Sequence, residues 1–285
     1  MNKQQSAGQL FQAVRTALTA AGLTEAERQA KLLLAFILAC KPAELICHWQ
    51  QPLSTKDVVR VQQLCDRLIA GEPLQYLLAE TEFMGLPLKL TPDVLIPRPD
   101  TEISAEKAIM LLQNQPAPLI ADIGTGSGAL ALSLLHYLPT AHAWAVDISA
   151  SALQVAAQNA QTLQLQDRCS FLLGDLCAPL NSLGLELDLI ISNPPYISAA
   201  EMAKLPANVQ KEPTLALAGG TDGLDYYRRL AFEAKPLLKK TGWLVLEHGY
   251  DQQAVVSELL VAAGWQVCEC LADYGGRPRV VVAQL

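Results

Sequence analysis

Apolar residues in the N-terminal part of the chain recur every three or four positions, which is the period of an amphipathic helix. Gly22 separates the first two helical segments, and Thr24 with Glu27 matches a capping box that would begin the second. Ser54 is placed to cap a third helix. The predicted helices cover residues 10–18, 30–38 and 54–68. The pattern therefore predicts a small all-helical domain over residues 1–72.

The pattern changes over residues 73–102, where apolar positions alternate with glycine and proline. We expect a short hairpin around Gly85, followed by an extended loop. Pro97 and Pro99 disfavour helix at the residues before them, so a helix would begin afterwards, capped by Asp100 or Thr101. This segment is the predicted linker between two domains.

From residue 103 onward, short apolar runs alternate with helical patterns, which favours a doubly wound α/β domain over residues 103–285. The last two strands are close enough to form a hairpin, so the final strand is expected to be antiparallel. The predicted strands are 119–123, 143–148, 170–173, 187–192, 243–247, 265–271 and 279–284. The predicted helices are 129–138, 150–163, 224–238 and 252–263.

Composition narrows the class of protein. The chain has 285 residues, of which 51% are hydrophobic and 17% charged, so it is long and apolar enough to fold around a core. Its longest apolar run, residues 32–40, is much shorter than the roughly 20 residues of a membrane-spanning helix. No secretory signal is visible at the start of the sequence. We therefore expect no membrane association.

The net charge of −7 lies wholly beyond residue 100, because residues 1–100 carry ten basic and ten acidic side chains. A general nucleic-acid binder would show a basic region, so no direct binding to nucleic acid is expected. The seven cysteines include no C-x-x-C pair and the four histidines are scattered. This pattern is typical of reduced thiols in a cytoplasmic protein without a metal site.

A glycine-rich turn follows the first predicted strand of the α/β domain. Gly124, Gly126 and Gly128 are spaced as G-x-G-x-G, one residue tighter than the dinucleotide fingerprint. Small residues here allow a ligand to approach the backbone closely. Asp122 precedes the turn and would repel an anion, so we expect a ligand that carries a positive amine or sulfonium.

Acidic residues also end the second and third predicted strands. Asp147, nineteen residues after Gly128, is placed to bind the two ribose hydroxyls of an adenosine. Asp175 is placed to accept a hydrogen bond from an adenine amino group. The combination predicts a nucleoside cofactor. The alternative is that Asp122, Asp147 and Asp175 only cap helices or turns.

The fourth predicted strand runs into Asn193-Pro194-Pro195-Tyr196. Two prolines remove two N–H donors and leave carbonyl acceptors, so with the Asn193 oxygen the turn is suited to a planar –NH₂ group. Tyr196 would lie against the flat face of that group. Acceptors on both hydrogens would stabilise positive charge on the nitrogen as it attacks a methyl group. The alternative is an ordinary proline-rich strand exit.

These motifs together resemble the peptide chain release factor N5-glutamine methyltransferases, which are S-adenosylmethionine-dependent. The resemblance covers residues 70–285 and includes a helical N-terminal domain of similar size. It rests on Asp122–Gly128 and Asn193–Tyr196 and on further segments at 71–76, 83–87, 95–102, 212–213, 216–217, 219–224, 247–249 and 273–274.

The resemblance implies a Rossmann-like methyltransferase sheet and methylation of the glutamine side-chain amide in the Gly-Gly-Gln motif of release factors. S-adenosyl-L-methionine would be the cofactor, and the N-terminal domain would help to grip the protein substrate. The implied cofactor-binding residues are Gly124, Thr125, Gly126, Ser127, Gly128, Asp147, Asp175, Leu176 and Asn193. The implied substrate-binding residues are Asn193, Pro194, Pro195 and Tyr196, of which Asn193, Pro194 and Tyr196 would act in catalysis.

Several residues allow two interpretations. Arg98 and Glu102 either close over the cofactor or join the domains through salt bridges, and Phe83 either lines the glutamine pocket or packs in the core. His248 is expected to be structural, and residues 226–229 to form the polar side of a helix. Other functions remain open: adenine amino-methylation of DNA, glutamine methylation of a ribosomal protein, a non-catalytic nucleoside-binding regulator and, less favoured, an NAD-dependent reductase.

Overall fold

The computed structural model describes residues 5–285, which form two compact units. The first unit comprises the described residues up to Ala79 together with Ala207–Lys211. The second comprises Glu80–Pro206 and Glu212–Leu285. Residues 1–4 of the predicted N-terminal domain lie outside the described residues.

The first unit is helical, as the apolar periodicity predicts. Its helices are α1 (Ala7–Ala20), α2 (Ala26–Leu38), α3 (Thr55–Ile69) and α4 (Leu74–Leu78). They enclose a separate core that includes Leu10, Leu33, Val61 and Leu77. Because Leu77 of α4 is buried in this core, the unit continues to Ala79 and does not end at residue 72.

The caps in this unit agree only in part with the sequence pattern. The Ser54 hydroxyl accepts a hydrogen bond from the Asp57 N–H and caps α3, as predicted. The predicted capping box of Thr24 with Glu27 is wrong. Helix α2 begins after Glu25 without a side-chain cap, and Glu27 instead pairs with Lys31 at 2.7 Å, one helical turn later.

The second unit begins with a two-stranded hairpin and contains a seven-stranded sheet. The hairpin strands, β1 (Glu80–Phe83) and β2 (Leu86–Lys89), are antiparallel. The hairpin belongs to this unit, so the predicted linker over 73–102 is divided between the two units. The sheet strands are β3 (Leu119–Ile123), β4 (His142–Asp147), β5 (Cys169–Leu173), β6 (Leu187–Ser192), β7 (Leu238–Glu247), β8 (Gln266–Ala272) and β9 (Pro278–Gln284).

The strand order is β5-β4-β3-β6-β7-β9-β8. The five strands β5, β4, β3, β6 and β7 pair in parallel with their neighbours. Strand β9 lies between β7 and β8 and is antiparallel to both. This confirms the predicted doubly wound sheet with an antiparallel last strand. The order reverses between β3 and β6, and ligands of such sheets bind at this reversal, beyond the carboxyl ends of the strands.

Helices cover both faces of the sheet. One core contains residues of α5 (Pro99–Leu112), α6 (Ala129–Tyr137) and α7 (Ala150–Thr162), and the other contains residues of α9 (Asp225–Glu233) and α10 (Gln253–Ala262). A short helix, α8 (Ala199–Met202), lies in the connection after β6. With both faces covered, the central strands are buried, which explains their continuous apolar sequence.

Two predicted boundaries are wrong because of proline. Helix α5 begins at Pro99 with Arg98 as its N-cap residue, so neither Asp100 nor Thr101 caps it. The helix predicted over 224–238 ends at Glu233, since Pro236 lacks an N–H and lies in a separate turn of 3₁₀ helix. Strand β7 then begins at Leu238, earlier than predicted.

Within residues 5–285, no helix is long and apolar enough to cross a membrane. In the same residues, no group of three or more His, Cys, Asp or Glu side chains is arranged to hold a metal ion.

Candidate active site

A cavity lies where the order of the parallel strands reverses, at the carboxyl ends of β3, β4, β5 and β6. It encloses ≈ 870 Å³ of space, part of it open to solvent. Its walls come from the glycine turn, the ends of β4 and β5, the Asn-Pro-Pro turn and two further segments around Val94 and Leu215. The lining residues are Asp93, Val94, Leu95, Ile123, Gly124, Gly126, Val146, Asp147, Ile148, Ser149, Ala152, Gly174, Asp175, Leu176, Ser192, Asn193, Pro194, Pro195, Pro213, Leu215, Ala216 and Tyr226.

The glycine turn forms one wall of this cavity. Gly124 and Gly126 have positive φ angles of 76° and 56° and line the cavity, and a Cβ atom at either would meet no other group within 4 Å. Gly128 does not line it. A Cβ there would lie 3.0 Å from Leu132 and 3.2 Å from Ala156, so this glycine allows close packing at the start of α6.

Asp122 has a different place from the one that the sequence suggests. Its side chain is buried, and Oδ2 accepts hydrogen bonds from the Thr125 hydroxyl at 2.6 Å and the Ala131 N–H at 3.1 Å. Burial raises its pKa to about 6, and those two hydrogen bonds oppose the shift. Asp122 does not line the cavity, so the expectation that it faces a positive ligand is wrong. It holds the turn to the first part of α6.

The two other strand-end acids do line the cavity. Asp147 Oδ2 accepts from the Gly126 N–H and Oδ1 from the Ser149 N–H, each at 2.9 Å, so this carboxylate joins the glycine turn to the start of α7. Asp175 forms a bidentate pair with Arg229 of α9, with both N···O distances 3.0 Å. Each carboxylate oxygen has a further lone pair that a ligand can use.

The Asn-Pro-Pro part of the second motif faces the same cavity as the glycine turn. Asn193, Pro194 and Pro195 all line it. Just before them, the Ser192 hydroxyl donates to the Ile123 carbonyl at 2.6 Å and joins β6 to the end of β3. The two motifs, about 65 residues apart in sequence, therefore meet because their strands are neighbours in the sheet.

Tyr196 packs behind the turn and does not line the cavity. Its side chain contacts the core on the α9 and α10 side, and its carbonyl accepts a hydrogen bond from Gln252 Nε2 at 3.0 Å. Burial, and then the charge of Glu247, raises the pKa of Tyr196 to about 12, so its hydroxyl stays protonated at neutral pH. Thr125 and Ser127 of the glycine turn are also buried and do not line the cavity.

Asn193 has polar partners on its inner side that the sequence motifs do not reveal. Its Nδ2 donates to the Thr101 hydroxyl at 3.1 Å. The polar side chains of Thr101 and Asn193 lower the pKa of the neighbouring Glu247 carboxyl. Burial outweighs them and raises the pKa of Glu247 to about 7. Thr101 and Glu247 belong to segments of the family resemblance, but their place beside Asn193 follows only from the packing of α5 and the end of β7 next to β6.

The residues with two interpretations have their contacts within the second unit. Arg98 forms a salt bridge with the buried Glu212, whose other oxygen accepts from the Ile96 N–H at 3.1 Å. Glu102 accepts from the Met84 N–H at 2.7 Å and holds the hairpin turn. Phe83 is buried in the core, and the buried His248 Nδ1 contacts the Gly249 carbonyl at 2.8 Å.

Residues 226–229 are not the polar face of a helix. Tyr227 is fully buried and its hydroxyl donates to the Glu247 carbonyl at 2.9 Å, while Tyr226 lines the cavity. The loops around Val94 and Leu215 and the apolar Ile148 also form part of the wall. Segments 95–102, 212–213 and 216–217 belong to the family resemblance, but only the folded chain brings them to one cavity.

Comparison with known proteins identifies the family. The model of the PrmC N-terminal domain matches residues 9–78, and that of the methyltransferase small domain matches residues 104–211. The release factor glutamine methyltransferase of Moorella thermoacetica is 46% identical over 275 residues, which is 96% of each chain. That of Bradyrhizobium diazoefficiens is 43% identical, over 97% of this chain and 95% of its own.

A solved structure shares the fold. The ribosomal protein L11 methylase of Lactobacillus delbrueckii subsp. bulgaricus superposes with a TM-score of 0.51 at 21% identity, over 69% of this chain and 84% of its own. At that identity the likeness concerns the fold alone. The near-full-length relatives carry the assignment, which confirms the family that the motifs predict: the chain belongs to the release factor glutamine methyltransferases.

Proposed function

We propose that this chain transfers a methyl group from S-adenosylmethionine to the side-chain amide nitrogen of the glutamine in the Gly-Gly-Gln motif of peptide chain release factors. One observation carries the proposal: the glycine turn with Asp147 and the Asn193-Pro194-Pro195 turn line a single cavity. The membership of the family supports the same reaction and the same class of protein substrate. The reaction would take place in the cytoplasm, where release factors act.

The shape and charge of the cavity support S-adenosylmethionine as the cofactor. Gly124 and Gly126 leave room beside the backbone, and the apolar side chains of Ile148, Leu176 and Leu215 offer walls for a flat base. The carboxylates of Asp147 and Asp175 are suited to ribose hydroxyls, an amino group and a nearby positive charge. When bound, this cofactor supplies a methyl group on a cationic sulfur.

We assign the predicted site residues to two roles on this basis. Gly124, Gly126, Asp147, Asp175 and Leu176 would contact the cofactor directly, since they line the cavity. The conformation of the turn would depend on its other three residues, which do not line the cavity. Thr125 and Ser127 are buried, and Gly128 packs against neighbouring helices.

The Asn-Pro-Pro turn would hold the acceptor amide. Asn193 Oδ1 and the Pro194 carbonyl would each accept one hydrogen of the substrate –NH₂ group, and the prolines offer no competing N–H donors. An amide nitrogen is a poor nucleophile because its lone pair is delocalised. Two fixed acceptors would stabilise the positive charge that develops on it as the new N–C bond forms. Tyr196 would support the turn from behind.

The first unit would help to grip the release factor. Residues 1–79 carry eight basic and six acidic side chains, and so small an excess of positive charge suits recognition of a protein better than recognition of a phosphate backbone. The family model for this region matches residues 9–78, so the region belongs to the same family architecture.

Incubation with labelled S-adenosylmethionine and separate samples of release factor, ribosomal protein and duplex DNA tests the proposal. We expect label in the release factor, on the glutamine of its Gly-Gly-Gln motif by peptide mass analysis. Label in the ribosomal protein or DNA but not in the release factor would contradict the proposal. A release factor with that glutamine replaced by leucine is the matched control and should stay unlabelled.

We expect Asn193→Ala to reduce methyl transfer by about 10²-fold or more, because it removes a preorganised acceptor from the substrate amide. Cofactor affinity, measured by calorimetry, should stay within about threefold, since most of the cavity wall is unchanged. Asn181→Ala, at an exposed position of the same unit, is the control and should leave both values unchanged. A collapse of cofactor affinity in Asn193→Ala with full activity at saturation would refute the assigned role.

A further inference from the structure

We propose that Glu247 and Thr101 are positioning residues that fix the side-chain amide of Asn193 with its oxygen toward the cavity. The inference rests on the proposed function, in which that oxygen accepts a hydrogen from the substrate amide. It adds two residues to the reaction that belong to neither the glycine turn nor the Asn-Pro-Pro-Tyr turn.

The sheet places these residues together. Ser192 of β6 pairs with Leu246 of β7, and continuing this parallel register by one residue puts Asn193 beside Glu247. Glu247 is 1% exposed, and its Oε2 has no hydrogen-bond partner among the described residues. Thr101 comes from the first turn of α5 and is 5% exposed. A buried carboxylate thus lies directly behind the turn that faces the cavity.

The polar interactions between the three side chains have one consistent direction. An ionised carboxylate only accepts, so it draws the Thr101 hydroxyl proton toward itself. The Thr101 oxygen is then free to accept from Asn193 Nδ2, at the observed 3.1 Å. Glu247, next to Asn193 by the register of the strands, attracts the amide nitrogen as well, and Asn193 in turn lowers the pKa of Glu247. With the nitrogen held on the inner side, Oδ1 is left for the cavity that Asn193 lines.

Without these partners the amide would have no preferred orientation. The oxygen and nitrogen of an asparagine amide have nearly the same shape, so only hydrogen-bond partners distinguish them. A reversed amide would present N–H donors to a substrate that brings N–H donors of its own. That orientation offers the substrate nitrogen no acceptor and repels it.

The ionisation of Glu247 makes this arrangement sensitive to pH. Burial raises its pKa to about 7, against hydrogen bonds from Thr101 and Asn193 and the charge of Arg279. A protonated Glu247 becomes a donor, and the Thr101 hydroxyl can then turn and release Asn193. Other titratable or charged groups near it are Asp100 of α5, Tyr196, Tyr227 of α9, whose hydroxyl bonds the Glu247 carbonyl, and the adjacent His248, whose own pKa burial lowers.

The test is the single-turnover rate of methyl transfer to release factor, at saturating cofactor, measured across about pH 5.5 to 8.5. For the wild type we expect the rate to fall below about pH 7 with the slope of one proton. In Glu247→Gln that acid limb should disappear. The plateau rate should fall about tenfold, since glutamine can present either an oxygen or an amide nitrogen to Thr101.

Thr101→Val tests the same arrangement with a smaller change. It removes the acceptor for Asn193 while keeping the shape, and we expect a decrease of about tenfold. Because the two residues act in series on Asn193, the double variant should also lose about tenfold, not a hundredfold. Ser104→Ala is the control: it deletes a buried hydroxyl from the same helix that has no hydrogen-bond partner among residues 5–285, and it should keep the wild-type rate.

A readout apart from activity is the side-chain ¹⁵N amide signal of Asn193, assigned by its absence in Asn193→Ala. We expect its shifts to titrate near pH 7 in the wild type and to stay constant in Glu247→Gln. An unchanged acid limb in Glu247→Gln, or full activity in Thr101→Val, would overturn the inference while the proposed function stands. Failure of the wild type to methylate release factor would instead refute the proposed function.

Discussion

Behind the Asn-Pro-Pro-Tyr turn, the backbone of residues 217–223 lies so close that neither Gly219 nor Gly223 has room for a side chain. A Cβ atom on Gly219 would be 2.7 Å from Tyr196 Cα and 2.8 Å from the Pro195 carbonyl oxygen. The Gly219 N–H donates to the Ile197 carbonyl at 2.8 Å, which fixes this contact. The position of the turn therefore depends on a residue that does not line the cavity.

We expect Gly219→Ala to shift the turn and to reduce methyl transfer by about 10²-fold, because small displacements of a positioned substrate are costly. The rate at saturating cofactor is the measurement. Gly275→Ala is the control, since this exposed glycine lies in the turn before β9 and its Cβ would meet only Asp273, with Oδ1 at 3.1 Å. Wild-type turnover in Gly219→Ala would show that the turn can move without consequence.

Single residues also show where sequence reasoning stops. Asp122 lies in β3 and Asp147 ends β4, and both accept backbone hydrogen bonds, but only Asp147 reaches the cavity. The difference is one of direction: Asp122 precedes the glycine turn and lies under α6, while Asp147 ends its strand at the sheet edge. Spacing in the sequence predicts that both are near the turn, and it cannot say which side each faces.

Two loops of the cavity wall are held together by one buried acid. Glu212 accepts from the Ile96 N–H and forms a salt bridge with Arg98, so it joins the segment around Val94 to the segment around Leu215. Neither segment contains a helix or strand long enough to hold it in place. The order of this wall therefore depends on a contact between residues more than a hundred positions apart.

We expect Glu212→Ala to weaken cofactor binding about tenfold, because the loss of hydrogen bonds to a charged group leaves two wall segments free to move. Calorimetric titration with S-adenosylmethionine measures the effect. Glu186→Ala, at an exposed position of the same unit, is the control and should bind as the wild type does. Unchanged affinity in Glu212→Ala would mean that the wall is fixed by other contacts.

The elements themselves could be predicted where local sequence decides them. Strands β3 and β6 are continuous apolar runs, and their predicted limits match the structure. The apolar pattern predicts neither the end of α9 nor the start of β7. Its periodicity continues past Glu233, while Pro236 prevents the helix from continuing. The loop segments of the wall lie partly in the family resemblance, but their meeting at the site could not be predicted, since it depends on long-range contacts such as Glu212 with Ile96.

At the scale of the whole molecule, the second unit buries two acids whose pKa values are raised. Burial is the main cause for both, with the pKa of Asp122 raised to about 6 and that of Glu247 to about 7. In the unfolded chain each group loses its proton at a lower pH than in the folded chain. Between the unfolded-state and the folded-state pKa of each group, unfolding therefore releases a proton. The stability that the group contributes is lost as pH rises through that interval.

As pH rises from about 4.5 to about 7, we expect the free energy of unfolding of Glu247→Gln to increase relative to that of the wild type, by an amount on the order of 3 kcal/mol. Above about pH 7 the difference should stay constant. Thermal unfolding of both proteins over this range measures the difference. Comparing the two proteins cancels the contribution of other carboxylates. If the difference in Tm between the two proteins does not depend on pH, ionisation of Glu247 does not destabilise the folded state.

The hairpin of β1 and β2 precedes the predicted methyltransferase domain in the sequence but is built into the same unit. Asn159 of α7 accepts from the Lys89 N–H at 2.7 Å and donates to the Lys89 and Ser127 carbonyls, so one buried amide holds both the hairpin and the glycine turn. A chain cut after the hairpin would keep the sheet but leave the buried Asn159 amide without its Lys89 partners, whereas a cut before Glu80 would keep both.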